Sequence, residues 1–381
     1  MCTAVLRRFP AWLTVLTLAT FPVSAQENGG GGTEPGGDSP VSGLVEISGF
    51  VDASYTYNNL DDLNTFGLDQ VEIDLSRNLG DIGMLRADLE WVSDGEGGFT
   101  LDAEQGYVTL DLGLGLGEGN YPTLTFGKFN APIGFELLDA PDMYQYSHSL
   151  VFDWGLPTNL TGAMLSMDLG GGIDVVVHLT NGWDQNVDTN TNKMIGGRLG
   201  YSHDNMGGIG FSAMRGDHED PILNPGGEVM VIISNPNVYD VIASNLTVYD
   251  IDLTLTPIPR LIIGGEYNNG KKELVVSDTV LNWNGYMVMA HYRLTDLMGL
   301  TGRYDYFNTY TTATLRSGRA KVLSQTHQAL TIAPTFALTD GLGFLMELRR
   351  DFSSFERIRG SGEREGEESM VNFAFEMTYS F

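Results

Sequence analysis

The last twelve residues, Met370 to Phe381 (M-V-N-F-A-F-E-M-T-Y-S-F), constrain the fold more than any other stretch. Val371, Phe373, Phe375, Met377, Tyr379 and Phe381 share one parity, and Asn372, Ala374, Glu376, Thr378 and Ser380 share the other. Successive side chains of a strand point to opposite faces, so an extended segment of this kind has one oily face and one wet face. Two settings accept it. One is a half-buried strand of an antiparallel sheet in water. The other is a strand of a barrel in lipid, with its apolar face on hydrocarbon and aromatics at the interface. Ending on Phe381, with Tyr379 two residues earlier, fits the second setting better.

The N-terminus predicts export. Arg7 and Arg8 precede an apolar run from Phe9 to Phe21, and Val23-Ser24-Ala25 is a small-x-small site, so residues 1–25 read as a secretory signal peptide. Residues 26–43 are rich in Gly, Pro and Ser and read as a flexible periplasmic tail, leaving 44–381 as one domain. The one cysteine, Cys2, falls inside the expected leader, so the mature chain is expected to hold no disulfide. No later apolar run approaches the roughly eighteen residues of a helical span. Membrane residence therefore requires a closed barrel, the other structure that satisfies every backbone group in hydrocarbon. The formal charge of −28, or −30 without Arg7 and Arg8, argues against nucleic acid as a partner.

Alternation predicts strands near 45–57, 66–77, 82–93, 102–112, 121–129, 160–168, 172–181, 193–203 and 208–216. It continues at 245–256, 259–268, 282–295, 299–308, 326–338, 341–353 and 370–381. The expected fold is an all-β transmembrane antiparallel barrel of about sixteen strands. Short periplasmic turns such as Asn78–Asp81, Leu169–Gly172, Thr256–Pro259 and Leu338–Gly341 alternate with long external loops at 58–65, 93–101, 130–159, 181–192, 216–244, 269–281, 309–325 and 354–369. Sixteen strands enclose a water column. The inward parity carries Asp52, Glu72, Asp74, Arg86, Asp88, Glu90, Asp111, Asp174, Arg198, Asp252, Glu266, Arg293, Arg303, Asp305, Glu347, Arg349 and Glu376, charges that a dry core would penalise by several kcal/mol each. Acids outnumber bases there by more than two to one, which predicts a cation-attracting field.

Between Leu124 and Met164 a strand ending Gly127-Lys128-Phe129 runs into Pro132-x-Gly134-x-Glu136. Tyr146-Ser147-x-Ser149, Gly155-x-Pro157 and Thr161-Gly162 follow. This stretch resembles the OmpL-like β-barrel porin family, and the terminal strand is similar to those of outer-membrane proteins, in which a final aromatic (here Phe381, with Tyr379) forms part of the assembly signal. The resemblance implies an outer-membrane porin of a Gram-negative-type bacterium, exported by the general secretory route. Its implied partners are lipid, lipopolysaccharide, the barrel-assembly machinery and small hydrophilic solutes, and a homotrimer is compatible with it. Independently, the loop after Asn130 is the longest, and loops of that length are usually functional. By analogy with general porins it would fold into the lumen, setting Glu136, Asp139 and Asp142 against Arg86, Arg198, Arg303 or Arg349. Packing on the outer rim is the open alternative. Lys128 shares its parity with Phe126 and is expected to snorkel at the rim or to use a bulge near Gly127.

Other candidate sites are weaker. Ser147-His148-Ser149 lacks a Gly-x-Ser-x-Gly elbow. His218-Glu219-Asp220 and Asp61-Asp62 suit loose contacts with divalent ions at the surface, Asn159-Leu160-Thr161 is a sequon by pattern only, and His178 reads as a solvated lumen residue. No cofactor and no enzymatic activity is expected. The sequence predicts a passive, cation-preferring channel; the alternative is a non-conducting surface barrel that binds a partner through its loops.

Overall fold

In the computed structural model, described for residues 45–59, 63–93, 98–113, 121–188, 191–204, 206–221, 241–274, 280–315, 318–357 and 366–381, the expected alternation becomes sixteen strands. These are β1 (Glu46–Asn58), β2 (Leu63–Asn78), β3 (Gly83–Ser93), β4 (Phe99–Asp111), β5 (Thr123–Asn130), β6 (Asn159–Gly170), β7 (Ile173–Thr180) and β8 (Met194–His203). They continue with β9 (Gly207–Pro221), β10 (Val241–Ile258), β11 (Leu261–Leu274), β12 (Val280–Arg293), β13 (Met298–Leu315), β14 (Gly318–Thr339), β15 (Leu342–Arg357) and β16 (Gly366–Ser380). The expected leader and tail, and Asp61-Asp62, lie outside the described residues.

Each strand pairs antiparallel with its neighbour in sequence, and β1 pairs with β16 to close the barrel. The seam runs from Phe50 opposite Ser380 to Asn58 opposite Asn372, and the Phe381 amide donates to the Gly49 carbonyl at 3.0 Å. No backbone edge is left to hydrocarbon. Among the described residues no helix is long and apolar enough to cross a membrane.

The radial distribution of side chains is the inverse of a water-soluble protein's. Leu199, Val177, Ile195, Leu330 and Ile332 are exposed on the outer wall, whereas Glu72, Asp88, Asp305 and Arg303 are buried inside. In β16, Met377, Tyr379 and Phe381 face out while Ala374, Glu376 and Thr378 are buried, as the alternation predicts. Phe344 stacks on Phe336 and tilts against Phe375, with ring centroids 4.5 and 5.0 Å apart, which places an aromatic patch beside the closing seam.

Two expectations are corrected. Most of the long loops are shorter than alternation suggested, because the ladders continue beyond the apolar band: β13 and β14 remain paired out to Leu315 opposite Gly318, and β15 and β16 out to Phe355 opposite Gly366. Strands of 18 and 22 residues in β13 and β14 exceed the roughly ten a bilayer needs. In water such an extension continues hydrogen bonding without needing an oily face, so periodicity does not report it. Second, of the two routes offered for Lys128, the bulge near Gly127 is absent, since β5 keeps register with both neighbours. Register shifts occur instead where Asp69 of β2 and Glu104 of β4 are inserted, so that Asp69-Gln70 and Glu104-Gln105 both turn polar side chains from consecutive positions away from lipid. Lys128 reaches back to the Asp102 carboxylate at 3.0 Å and the Ala103 carbonyl at 2.9 Å.

Leu199 sits mid-strand on the lipid face beside Arg198, which points inward to Asp252. Leu199→Arg is expected to cost about 2–4 kcal/mol of barrel stability, the penalty of a midplane arginine on lipid, read as a lower urea midpoint in liposomes.

Candidate functional site

The long segment between β5 and β6, here L3, folds into the lumen. Its backbone amides and carbonyls, the Tyr146 hydroxyl and the Glu136 carboxylate meet inward side chains from opposite sides of the barrel: Ser54 of β1, Ser212 of β9, Glu266 of β11, Arg303 of β13 and Glu347 of β15. The rim placement is thereby excluded. A short helix, α1 (Leu150–Gly155), starts at Ser149, whose Oγ accepts the Phe152 amide at 3.2 Å.

One side of L3 is apolar. Ile133, Leu150, Val151 and Leu156 pack in one cluster with Met194, Met214, Leu246, Val248, Trp283, Met287, Met289 and Phe307 on the inner wall of β8–β13. Full burial is worth roughly 1.5–3 kcal/mol for each such side chain, so this wall holds the loop by adhesion. The inner face is therefore not uniformly polar. On β12, Met287 and Met289 point in while Val288 points out, leaving no alternation to read. Gly264 and Gly285 make room: a Cβ on the first would lie 2.2 Å from the Phe135 ring, and one on the second 2.5 Å from Phe307 and 3.0 Å from Val151.

The other attachment is electrostatic. Arg303, fully buried, donates from Nε to Asp305 (3.0 Å), from Nη1 to Glu136 (2.8 Å) and the Ser147 carbonyl (2.6 Å), and from Nη2 to the Ser147 hydroxyl (3.2 Å) and the His148 carbonyl (2.8 Å). Arg349 donates from Nη1 to the same hydroxyl and the His148 carbonyl, both at 2.9 Å, and from Nε to Asp351. Glu136 also accepts the Ser149 amide (2.8 Å), and Glu347 accepts the Ser147 amide (3.1 Å). A planar guanidinium presents five donors in a fixed fork, which lets one side chain hold a carboxylate and two carbonyls together.

The expected charges therefore divide. Glu136 faces Arg303, one of the four bases the sequence offered the loop acids, but in direct contact, so the pair anchors the loop and leaves no aqueous gap between its charges. Asp139 faces the Asp74–Arg86–Asp88 group, where Arg86 Nε lies 2.8 Å from Asp88 and Nη2 3.3 Å from Asp74. Burial first, then Asp142 and Asp74, pushes the Asp139 carboxyl up to about 8, against the pull of Arg86, so Asp139 carries little charge at neutral pH. Asp142 is exposed to the lumen, and partial desolvation raises its carboxyl above the usual range. Arg198 pairs with Asp252 on its own wall and meets none of the three loop acids. Glu90 accepts the Gln70 amide at 2.9 Å.

The family-like positions at the start of L3 are explained by this lodging. Gly134 has φ +96° and lies against Leu156, where a Cβ would sit 2.5 Å from Cδ1. The Pro132 carbonyl accepts the Ser212 hydroxyl at 3.4 Å, and Phe129 joins the apolar cluster; Gly127 answers instead to the pairing of β5 with β4, where a Cβ would lie 2.2 Å from the Gly106 carbonyl.

A cavity of about 430 Å³ remains between L3 and the β1–β2 and β15–β16 walls, lined by Thr56, Asn58, Asn64, Tyr146, Glu347, Arg349, Asp351 and Asn372 among others. The weaker candidates are placed too. The Ser147 hydroxyl lies between two guanidiniums, and the His148 ring bonds the Leu137 carbonyl and stacks on Phe152, so the two do not pair. His178 is buried against Gly196 and is not solvated, and Asn159 is buried and donates to Asn130. The His218 carbonyl accepts the Ser244 hydroxyl, and the side chains of Glu219 and Asp220 lie outside the described residues.

Removing Arg303 strands Glu136 and Asp305 in a buried setting, at a cost of about 3–5 kcal/mol. Arg303→Ala is expected to free L3 for proteolytic cleavage while the barrel keeps its heat-modifiable migration. Arg303→Lys, a point charge without the fork, should protect L3 only in part.

Residues 44–381 match the family model described as "Putative beta-barrel porin-2, OmpL-like". No curated protein matches the sequence. Among solved structures, OmpT of Vibrio cholerae superposes with a TM-score of 0.60 at 11% identity, over 90% of this chain and 99% of that one. An anion-selective porin from Comamonas acidovorans gives 0.54 at 13%, over 89% and 100%. Salmonella typhi OmpF, in complex with daunomycin, gives 0.51 at 10%, over 89% and 98%. Likeness at such identities shows the fold alone. With the family model spanning the whole barrel, the chain belongs to the OmpL-like β-barrel porin family, a porin-type barrel of the outer membrane.

Proposed function

We propose that the barrel is a passive channel for small hydrophilic solutes or ions, that it prefers cations, and that L3 sets its constriction. The observation that carries this reading is the cavity left beside L3, with Glu347, Arg349 and Asp351 on its wall. An anion-selective porin is among the proteins of like fold, so the cation preference proposed here rests on this chain's own lumen charges and not on the fold. Among the inward strand residues acids exceed bases, and Asp142 adds an exposed carboxylate on the loop itself. Negative charge on low-dielectric walls concentrates cations. Export through residues 1–25, insertion by the barrel-assembly machinery with Tyr379 and Phe381 as part of the signal, contact with lipopolysaccharide and assembly as a homotrimer belong to the same proposal. One OmpT structure is described as a trimer form, which supports the last of these.

Planar-bilayer recording of the purified protein should give conductance steps with reversal potentials on the cation side; steps of anion preference, or none, overturn the reading. The Asp142 proton is held to higher pH than an ordinary aspartate's, so cation preference should weaken on acidification beginning above the usual carboxylate range. Asp142→Asn should remove part of that pH-dependent change and leave open-channel conductance within about twofold.

A further inference from the structure

The wall of β2, β3 and β4 holds a buried group of carboxylates that does not line the cavity beside L3. Glu72 and Glu90 are direct cross-strand partners, and the bulge in β4 inserts Glu104 beside them. One carboxylate oxygen from each lies within 4.8 Å of the others, and the three side chains are 0, 3 and 0% exposed. Like charges directly opposite one another destabilise a sheet even at its surface, and buried carboxylates are stable only with a compensating charge or a bound proton.

The neighbouring cations are engaged elsewhere. Lys128 bonds Asp102 and the Ala103 carbonyl, and Arg86 bonds Asp88 and Asp74. For the second acidic group nearby, Glu72 with Asp74 and Asp88, Arg86 already supplies the counter-charge. Within the triad, Glu72 and Glu90 receive a neutral donor, the Gln70 amide, at 3.2 and 2.9 Å. Glu72 Oε1, buried inside the group, has no hydrogen-bond partner among the described residues.

We propose that Glu72, Glu90 and Glu104 form a binding site for one hard divalent cation of the calcium type, set in the barrel wall. The chemistry points to this class. The donors are all carboxylate oxygens, with no thiol or imidazole that would favour zinc or copper. An ion bonded at roughly 2.3–2.6 Å places its oxygen ligands up to about 5 Å apart, which matches the observed spacing, whereas magnesium demands shorter, stricter octahedral geometry. Gln70 can supply a further oxygen, because an amide flip exchanges its donor for an acceptor without moving the side chain. The ion would bridge three adjacent strands and replace mutual repulsion with shared coordination. This site does not depend on the channel reading.

The test uses the full mature barrel, refolded in detergent and stripped with EDTA. Calorimetric titration with CaCl₂ should give saturable binding of one ion per chain, with magnesium at least tenfold weaker. Saturating calcium should raise the unfolding midpoint. Glu72→Gln and Glu104→Gln should each lower calcium affinity at least tenfold, yet unfold at equal or higher midpoint than the parent in EDTA, because they relieve repulsion. Asp142→Asn, an acid elsewhere in the lumen, should bind as the parent does. Absence of saturable calcium binding by the parent overturns the proposal without any variant. Undiminished binding by a Glu72→Gln/Glu104→Gln double variant that keeps heat-modifiable migration overturns it as well, by placing the ion elsewhere.

Discussion

Everything in this protein follows from closing one hydrogen-bond ladder. In hydrocarbon an unpaired backbone group costs several kcal/mol, so the sheet is stable in lipid only because β1 finds β16. The Phe381 amide on the Gly49 carbonyl continues that pairing past the end of β16. Closure also decides the side-chain pattern: one parity is forced onto lipid and the other into an enclosed space, which is why Leu199 is exposed while its neighbour Arg198 reaches Asp252.

An enclosed space this wide invites something to enter it, and L3 does so by two different physical means. Toward β8–β13 it adheres through buried aliphatic and aromatic contacts. Toward β13 and β15 it is held by Arg303 and Arg349, whose guanidiniums grip the Ser147 and His148 carbonyls. The first is non-directional and tolerates sliding. The second fixes register, because forked donors must meet particular oxygens. Together they leave a cavity of about 430 Å³ on the β1–β2 and β15–β16 side of the lumen. The charged residues of the lumen are accordingly of two kinds: those spent on holding L3, such as Glu136 and Arg303, and those still facing water, such as Asp142.

The interior is also asymmetric in a way that a uniform porin wall would not be. Glu72, Asp88, Glu90 and Glu104 stand together on β2–β4, shielded from solvent, while methionines and a tryptophan line β12 and its neighbours, where buried carboxylates such as Asp250 and Glu266 are interspersed among them. The asymmetry matches the loop that fills the barrel, since an oily side of L3 requires an oily wall. The acidic wall has no such apolar counterpart and must satisfy its charges with Arg86, Gln70 or an added ion.

The sequence by itself determined the strands, their number and their two faces, because lipid imposes a period of two on any segment that crosses it, and Val371 to Phe381 shows that period without interruption. It also marked L3, through its length and its Pro and Gly positions. Where the interior is lined by Met287, Met289 and Val248 the periodicity fails, because both faces are apolar for different reasons, one for lipid and one for the loop. The bulges at Asp69 and Glu104 shift parity by one residue, and their only trace in the chain is a pair of adjacent polar residues. Tertiary structure alone decided that Glu136 meets Arg303, 167 positions away, and that Glu104 stands beside Glu72 and Glu90. Contacts of that kind depend on which strands closure brings face to face across the lumen, and on the path a loop takes through it, and neither quantity is local to any stretch of chain.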